Sequence, residues 1–239
     1  MKPLGIVASA LILMFASACG GGESSSSPSS PSPPTGGTVT VSVSSDRTVH
    51  FSSGDPSTNA RVEPASSYIS VGQVFDTVHD TRYAVAAAAA LKFDLPAQVT
   101  GRTVTKATLR LSVSDVRLDV AGRRGPTATM DIQLRANAFM SDWDPTSLSW
   151  NVWASLGYQS AGEARAAAPN SLWPPVDFDV TTMVRNWASG SWKNYGLRLA
   201  ADTYSDPGGD SYGITNFYSH SSVEFGPGGS PPLLIIEYQ

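Results

Sequence analysis

The stretch Ala107-Thr108-Leu109-Arg110-Leu111-Ser112-Val113-Ser114 alternates strictly between apolar and polar residues. Leu109, Leu111 and Val113 fall on one face and Arg110, Ser112 and Ser114 on the other, the signature of a half-buried strand. The same period recurs outward from it. Met130, Ile132, Leu134 and Ala136 alternate with Asp131, Gln133 and Arg135, while Tyr195, Leu197 and Leu199 alternate with Gly196, Arg198 and Ala200. Thr38 to Val43 and Leu233 to Tyr238 read as the first and last strands. Between these segments lie turn signals: Gly54-Asp55-Pro56, Gly101, Gly122 to Pro126, Pro207-Gly208-Gly209 and Gly226 to Pro232. Many short antiparallel strands joined by Gly/Pro turns predict an all-β chain, an antiparallel, jelly-roll-like β-sandwich.

One helix interrupts the pattern, near 181–188. Val180, Met183, Val184 and Trp187 recur at i, i+3, i+4 and i+7, with Thr181 to cap the start and Gly190 to end it. This helix is expected to plug an open end of the sandwich with Trp187. The run Ala86 to Ala90 is ambiguous, since alanine favours helix while its flanks Tyr83-Ala84-Val85 and Leu91-Lys92-Phe93 favour strand. It is read as a strand packed where space is tight.

The N-terminus sets the expected compartment. Lys2, an apolar stretch from Leu4 to Phe15 and the small residues Ala16-Ser17-Ala18 form a secretory signal over residues 1–18, too short to span a bilayer. Cys19, the only cysteine, follows at once and resembles the lipidated cysteine of a bacterial lipoprotein, although Ala16 stands where that motif prefers Leu. Ordinary signal cleavage, leaving a free Cys19 thiol, is the alternative. After Cys19, residues 20–37 are Gly, Ser and Pro apart from Thr35 and one charge, Glu23, so 19–37 forms a single low-complexity segment. They bury nothing, so they read as a linker that reaches up to roughly 50 Å. Residues 38–239 then form one domain. The expected location is extracytoplasmic, an outer-membrane or cell-surface lipoprotein, alternatively a secreted protein.

With 239 residues, the chain is long enough for a full core, and the part after the linker contains no cysteine to cross-link it. A net charge of −4 and the lack of a basic stripe argue against nucleic acid; Arg123-Arg124 is the single basic doublet and reads as part of a turn. No Gly-x-Ser-x-Gly elbow, phosphate loop or dinucleotide fingerprint occurs. His50, His79 and His220 lie too far apart in sequence to make a two-residue metal spacing. A triad assembled in space is left open.

Six motifs follow one another from Leu91 onward. They are Phe93-Asp94-Leu95; Ala107/Leu109/Leu111; Trp143 with Trp150-Asn151; Phe178-Asp179-Val180-Thr181 with Trp187 and Gly190; Asn194-Tyr195-Gly196-Leu197; and Pro232/Leu234/Tyr238, with Phe217-x-Ser219 before the last. In this order they resemble the DNRLRE domain family, β-sandwich modules of secreted proteins that include disaggregatase-related repeats and a carbohydrate-binding-module family known for alginate. The chain departs from the pattern at Ala86–Ala90 and at Leu148-Ser149, and residues before Leu91 match it poorly. The resemblance implies non-catalytic binding of polysaccharide. The alternative is a structural or adhesive surface domain that binds protein or cell envelope. A polysaccharide lyase or hydrolase ranks third.

Trp143, Trp150 and Trp187 belong to scaffold motifs and are expected in the core. Trp153, Trp173 and Trp192 fall outside the strongest positions and are the candidate ligand-stacking residues. Asp202, Asp206 and Asp210 form an oxygen-rich loop that is the candidate site for calcium, the one cofactor considered, against the plainer reading of an exposed acidic turn. Asp177 and Asp179 lie two apart on a predicted strand. A catalytic pair is weighed there against a scaffold role for Asp179, which is favoured. No catalytic residue is assigned.

Overall fold

The computed structural model describes residues 36–78, 81–120, 123–124, 133–169, 175–202, 211–223, 225 and 228–239. The strands are β1 (Gly37–Ser42), β2 (Ser45–Ser52), β3 (Tyr68–Val78), β4 (Thr81–Lys92), β5 (Val104–Leu111), β6 (Val113–Val120) and β7 (Arg123–Arg124). They continue as β8 (Gln133–Ala138), β9 (Ala164–Ala167), β10 (Val176–Asp179), β11 (Leu197–Ala201), β12 (Ser211–Tyr218) and β13 (Leu233–Tyr238). Among the described residues, two helices, α1 (Trp150–Ser155) and α2 (Thr181–Ala188), accompany the strands, with a short 3-10 turn at Pro56–Ala60.

The strands pair antiparallel into two sheets, a four-stranded one in the order β1-β13-β5-β10 and a nine-stranded one in the order β7-β6-β12-β3-β4-β11-β8-β9, with β2 also on β4. The all-β sandwich read from the alternation is the fold observed. The first and last strands pair with each other along their whole length, from Gly37 opposite Tyr238 to Ser42 opposite Leu233. Between the sheets the alternating apolar residues meet: Leu109, Leu111, Phe178, Leu197, Leu199, Phe217, Leu234 and Ile236 are fully buried. Each such Leu or Phe contributes about 1.5–3 kcal/mol relative to an exposed position. The basic doublet Arg123-Arg124, read as turn, pairs with β6 instead.

α2 has the expected bounds, and Met183, Val184 and Trp187 seal into the main core. Its start is held differently from the expectation. Thr181 does not cap it; Asp179 Oδ1 accepts from the Thr181 backbone N–H (3.0 Å) and from Thr181 Oγ1 (2.6 Å). Thr181 Oγ1 is thereby free to accept from the Ala107 N–H at 2.9 Å, which ties the helix to β5. Asp177 pairs with Arg110 through two bonds of 2.8 and 2.7 Å, so the two carboxylates serve the scaffold separately.

α1 is the element the sequence reading missed, because six residues are too few to show a helical period against the surrounding turns. Ser149 caps it, its Oγ accepting from the Val152 N–H. The alanine run is strand. Ala89 and Leu91 of β4 face the main core, whereas Ala88 and Ala90 face a second cluster made with Val49, Phe139, Trp143, Leu148 and Trp153. A strand covered on both faces, with indoles on one of them, leaves room for little more than a methyl group.

Candidate functional site

The second cluster builds a concave surface. α1 places Trp150 and Trp153 three residues apart on one side, with ring centroids 5.0 Å apart and 29° between planes. Phe51 of β2 approaches Trp150 at 5.4 Å. Trp153 is 3 % exposed, and its Nε1 donates to the Ala89 carbonyl at 3.3 Å. Trp150 is half-buried rather than in the core, since α1 carries it to the rim. Below the rings, Ala86, Ala88 and Ala200 form a floor of methyl groups, and the hollow between has a volume of about 310 Å³. Small side chains under aromatic walls are the usual make-up of a small-molecule or sugar subsite.

Two arginines enter this hollow, Arg135 from β8 and Arg198 from β11. The Arg198 guanidinium is flanked by two rings, 3.9 Å from the Trp153 centroid and 4.1 Å from that of Tyr158. Its buried Nε has no hydrogen-bond partner among the described residues. Burial pushes the Arg198 pKa down and the like charge of Arg135 adds to this, opposed by Tyr158 and Glu163. Arginine stays charged even so. The hollow thus holds a desolvated cation, stabilised by ring faces, with donor capacity to spare.

Arg135 is balanced by neighbours. Its Nε lies 2.5 Å from Asp202 Oδ1 and its Nη1 4.0 Å from Glu163 Oε2, and Arg165 bridges both acids at 2.8 and 2.9 Å. Glu163 is pushed up by burial, but hydrogen bonds from Asn137 and Arg165 and the charges of Arg165 and Arg135 outweigh this and hold it below the usual range.

The candidate residues from the sequence fall in different places. Trp153 lines the hollow, but it presents its ring to Trp150 and Arg198 and not to solvent. Trp192 packs half-buried against the main core, away from the hollow. Asp202 is engaged by Arg135 and Arg165, while Trp173, Asp206, Asp210, Cys19 and His79 lie outside the described residues. Among the described residues no three His, Cys, Asp or Glu side chains converge. Reasoning from sequence passed over Trp150, Phe51 and Arg198. Arg198 carried a usable signal, a polar residue in an alternating strand whose neighbour across the ladder, Ala90, is buried.

One chain of groups imitates a hydrolytic triad. Asp46 Oδ1 lies 2.9 Å from His220 Nδ1, and His220 Nε2 lies 3.2 Å from Ser221 Oγ. The backbone N–H groups that would stabilise an oxyanion there are already spent: His220 donates to Asp46 Oδ2, and Ser221 to Ser219 Oγ. The arrangement fastens the turn after β12 to β2.

An all-β sandwich bearing an aromatic-walled hollow with a buried, underused cation has the make-up of a carbohydrate-binding module. The profile of carbohydrate-binding module family 96 matches residues 68–220, which hold the nine-stranded sheet apart from β2, the strands β5 and β10 of the four-stranded sheet, and all of α1 and α2. The chain belongs to that family. Comparison with curated proteins returned no match.

Proposed function

We propose that the hollow beneath α1 binds polysaccharide without cleaving it, a sugar ring resting on Trp150 and Phe51 with an acidic group directed at Arg198. The observation that carries this is the buried Arg198 Nε, which has no hydrogen-bond partner among the described residues. A neutral sugar would leave that desolvated charge as it is, whereas a carboxylate would supply the acceptor and the countercharge together. A uronate polymer is therefore the ligand class that fits. The resemblance to modules known for alginate supports the same class. The net charge of −4 is no obstacle, because a recessed cation acts over a few ångströms while the distant acids are screened by salt.

In this reading the N-terminal segment serves as a tether, with Cys19 carrying a lipid and the residues from Gly20 up to the start of β1 holding the module away from a membrane surface. The Asp202–Asp210 loop takes up calcium only as an accessory. Affinity electrophoresis of the full chain through alginate, polygalacturonate and neutral glucan gels tests the proposal, each gel run with calcium and with chelator. Retardation in the uronate gels that is lost in Arg198→Leu is the expected result. Equal migration of parent and variant in every gel would overturn it in favour of a structural or adhesive surface domain. Loss of retardation with chelator alone would assign calcium a part.

A further inference from the structure

We propose a second sugar-binding surface, for a neutral pyranose, at Tyr68, Tyr218 and Phe225; it rests on the carbohydrate-binding reading but shares no residue with the hollow beneath α1. Tyr68 and Phe225 are 50 and 40 % exposed, and with Tyr218 they gather where β3 begins and β12 ends. Tyr68 faces Tyr218 directly across the ladder, with ring centroids 6.3 Å apart, and Phe225 meets Tyr218 edge-on at 5.3 Å. Clustered, exposed aromatic surface of this kind marks a place where something binds.

The chain holds the backbone beside Tyr68 and Tyr218 in place before any ligand arrives. The Ser219 N–H donates to the Ser67 carbonyl, Ser219 Oγ to the Ser66 carbonyl, and Ser222 Oγ to the Ser67 carbonyl. The buried Asp46 carboxylate fixes His220 through its backbone N–H at 2.7 Å and its ring. The segment entering Tyr68 and the turn leaving Tyr218 are thus fastened into one unit, so little ordering entropy remains to be lost on binding.

Polar groups of the right kind lie on the same face. Alternation along both strands puts Ser70 beside Tyr68 and Asn216 beside Tyr218, opposite to the buried Ile69 and Phe217. Ser70 Oγ donates to Asn216 Oδ1 at 2.6 Å, which orients the amide, and its NH₂ has no partner among the described residues. Rings that accept the C–H face of a sugar, next to a fixed amide donor for a hydroxyl, recognise an uncharged pyranose. None of these residues is cationic, unlike those of the hollow, so the two surfaces select different sugars.

The test is affinity electrophoresis of the full chain through galactomannan, xyloglucan and hydroxyethylcellulose gels, with an alginate gel alongside, and sedimentation to report self-association. Tyr68→Ala and Phe225→Ala, both at exposed positions, are expected to weaken retardation in a neutral gel by about tenfold in Kd while alginate binding holds. Trp150→Ala should do the reverse, so failure of the first site shows in that arm alone. A Tyr68→Ala/Phe225→Ala double variant that migrates like the parent in every neutral gel would overturn the proposal. So would a parent that self-associates through these rings and loses that association in the double variant.

Discussion

The guanidinium carbon of Arg198 sits 3.9 Å above the ring centroid of Trp153, so a half-buried cation of the candidate site depends on its buried indole. Arg198→Leu removes a desolvated charge and keeps apolar volume against both rings. Replacing a buried charge this way tends to leave stability unchanged or raise it. Uronate binding should fall at least about tenfold, as loss of a charge-assisted contact at a hot spot implies, while the melting temperature holds or rises. Affinity gels and thermal melts on the same preparation check both halves, and a large drop in melting temperature would mean Arg198 is structural.

Trp153 and Trp150 separate stability from binding. Trp153→Ala empties a buried indole site and frees Arg198, a loss of about 3–5 kcal/mol for a fully buried Trp. Trp150 is half-buried and should cost nearer about 1–2 kcal/mol when truncated, yet it is the ring a sugar would meet. Urea unfolding should rank Trp153→Ala as the less stable. Binding per folded molecule should be lost in Trp150→Ala.

The carboxylates predict acid lability with a definite sign. Asp179 is held below its ordinary pKa by the Thr181 side-chain and backbone hydrogen bonds, and Asp142 by the Lys92 hydrogen bond and the Trp143 N–H. A carboxylate whose folded pKa is depressed adds stability above its unfolded pKa, near about 3.9, and loses it as pH falls through the folded value. Urea midpoints should therefore be flat near neutrality and fall below about pH 4. Asp179→Ala, which removes the helix-start contact, should cost about 1 kcal/mol at pH 7, and the difference should shrink as pH drops. A difference independent of pH would refute the assignment.

Much of this architecture was legible because alternation reports burial directly. Leu109, Leu111, Leu197 and Leu199 were placed correctly by period alone, and the helix by four residues of one stripe. The binding hollow was not legible in that way. Its walls come from β2, β4, β8, β11 and α1, which are far apart in sequence, and α1 is too short to announce itself. Its floor was visible only as an anomaly, five alanines where larger residues were expected. Trp153 was singled out for lying outside the motifs, but exposure cannot be read from a lone tryptophan. The structure puts that ring under its neighbours and gives the rim to Trp150.

The Asn194-Tyr195-Gly196-Leu197 motif is explained by backbone geometry. Gly196 has φ +90°, and a Cβ there would come 2.2 Å from the Leu91 carbonyl oxygen. Asn194 Nδ2 donates to the Phe93 carbonyl at 2.8 Å, and its Oδ1 accepts from the Gly196 N–H at 3.1 Å. Gly196→Ala combines a left-handed backbone with a backbone clash and should cost more than about 2 kcal/mol, enough to lower soluble yield. Denaturant unfolding would show it.

Ala86 offers the cleanest test of the hollow itself. It is half-buried, lines the floor and lies opposite Phe51 in the β2–β4 register. A leucine there would project into space bounded by Trp150 and Phe51 rather than into the close-packed sandwich, so folding should tolerate it. The methyl groups added would occupy the volume a sugar ring needs, and Arg198 would be left in place but out of reach. Ala86→Leu is therefore expected to keep the melting temperature within a few degrees of the parent, as a surface-facing substitution of under about 1 kcal/mol would. Uronate binding should fall at least about tenfold. Retained binding would place the glycan elsewhere on the sandwich, whatever Arg198→Leu had shown.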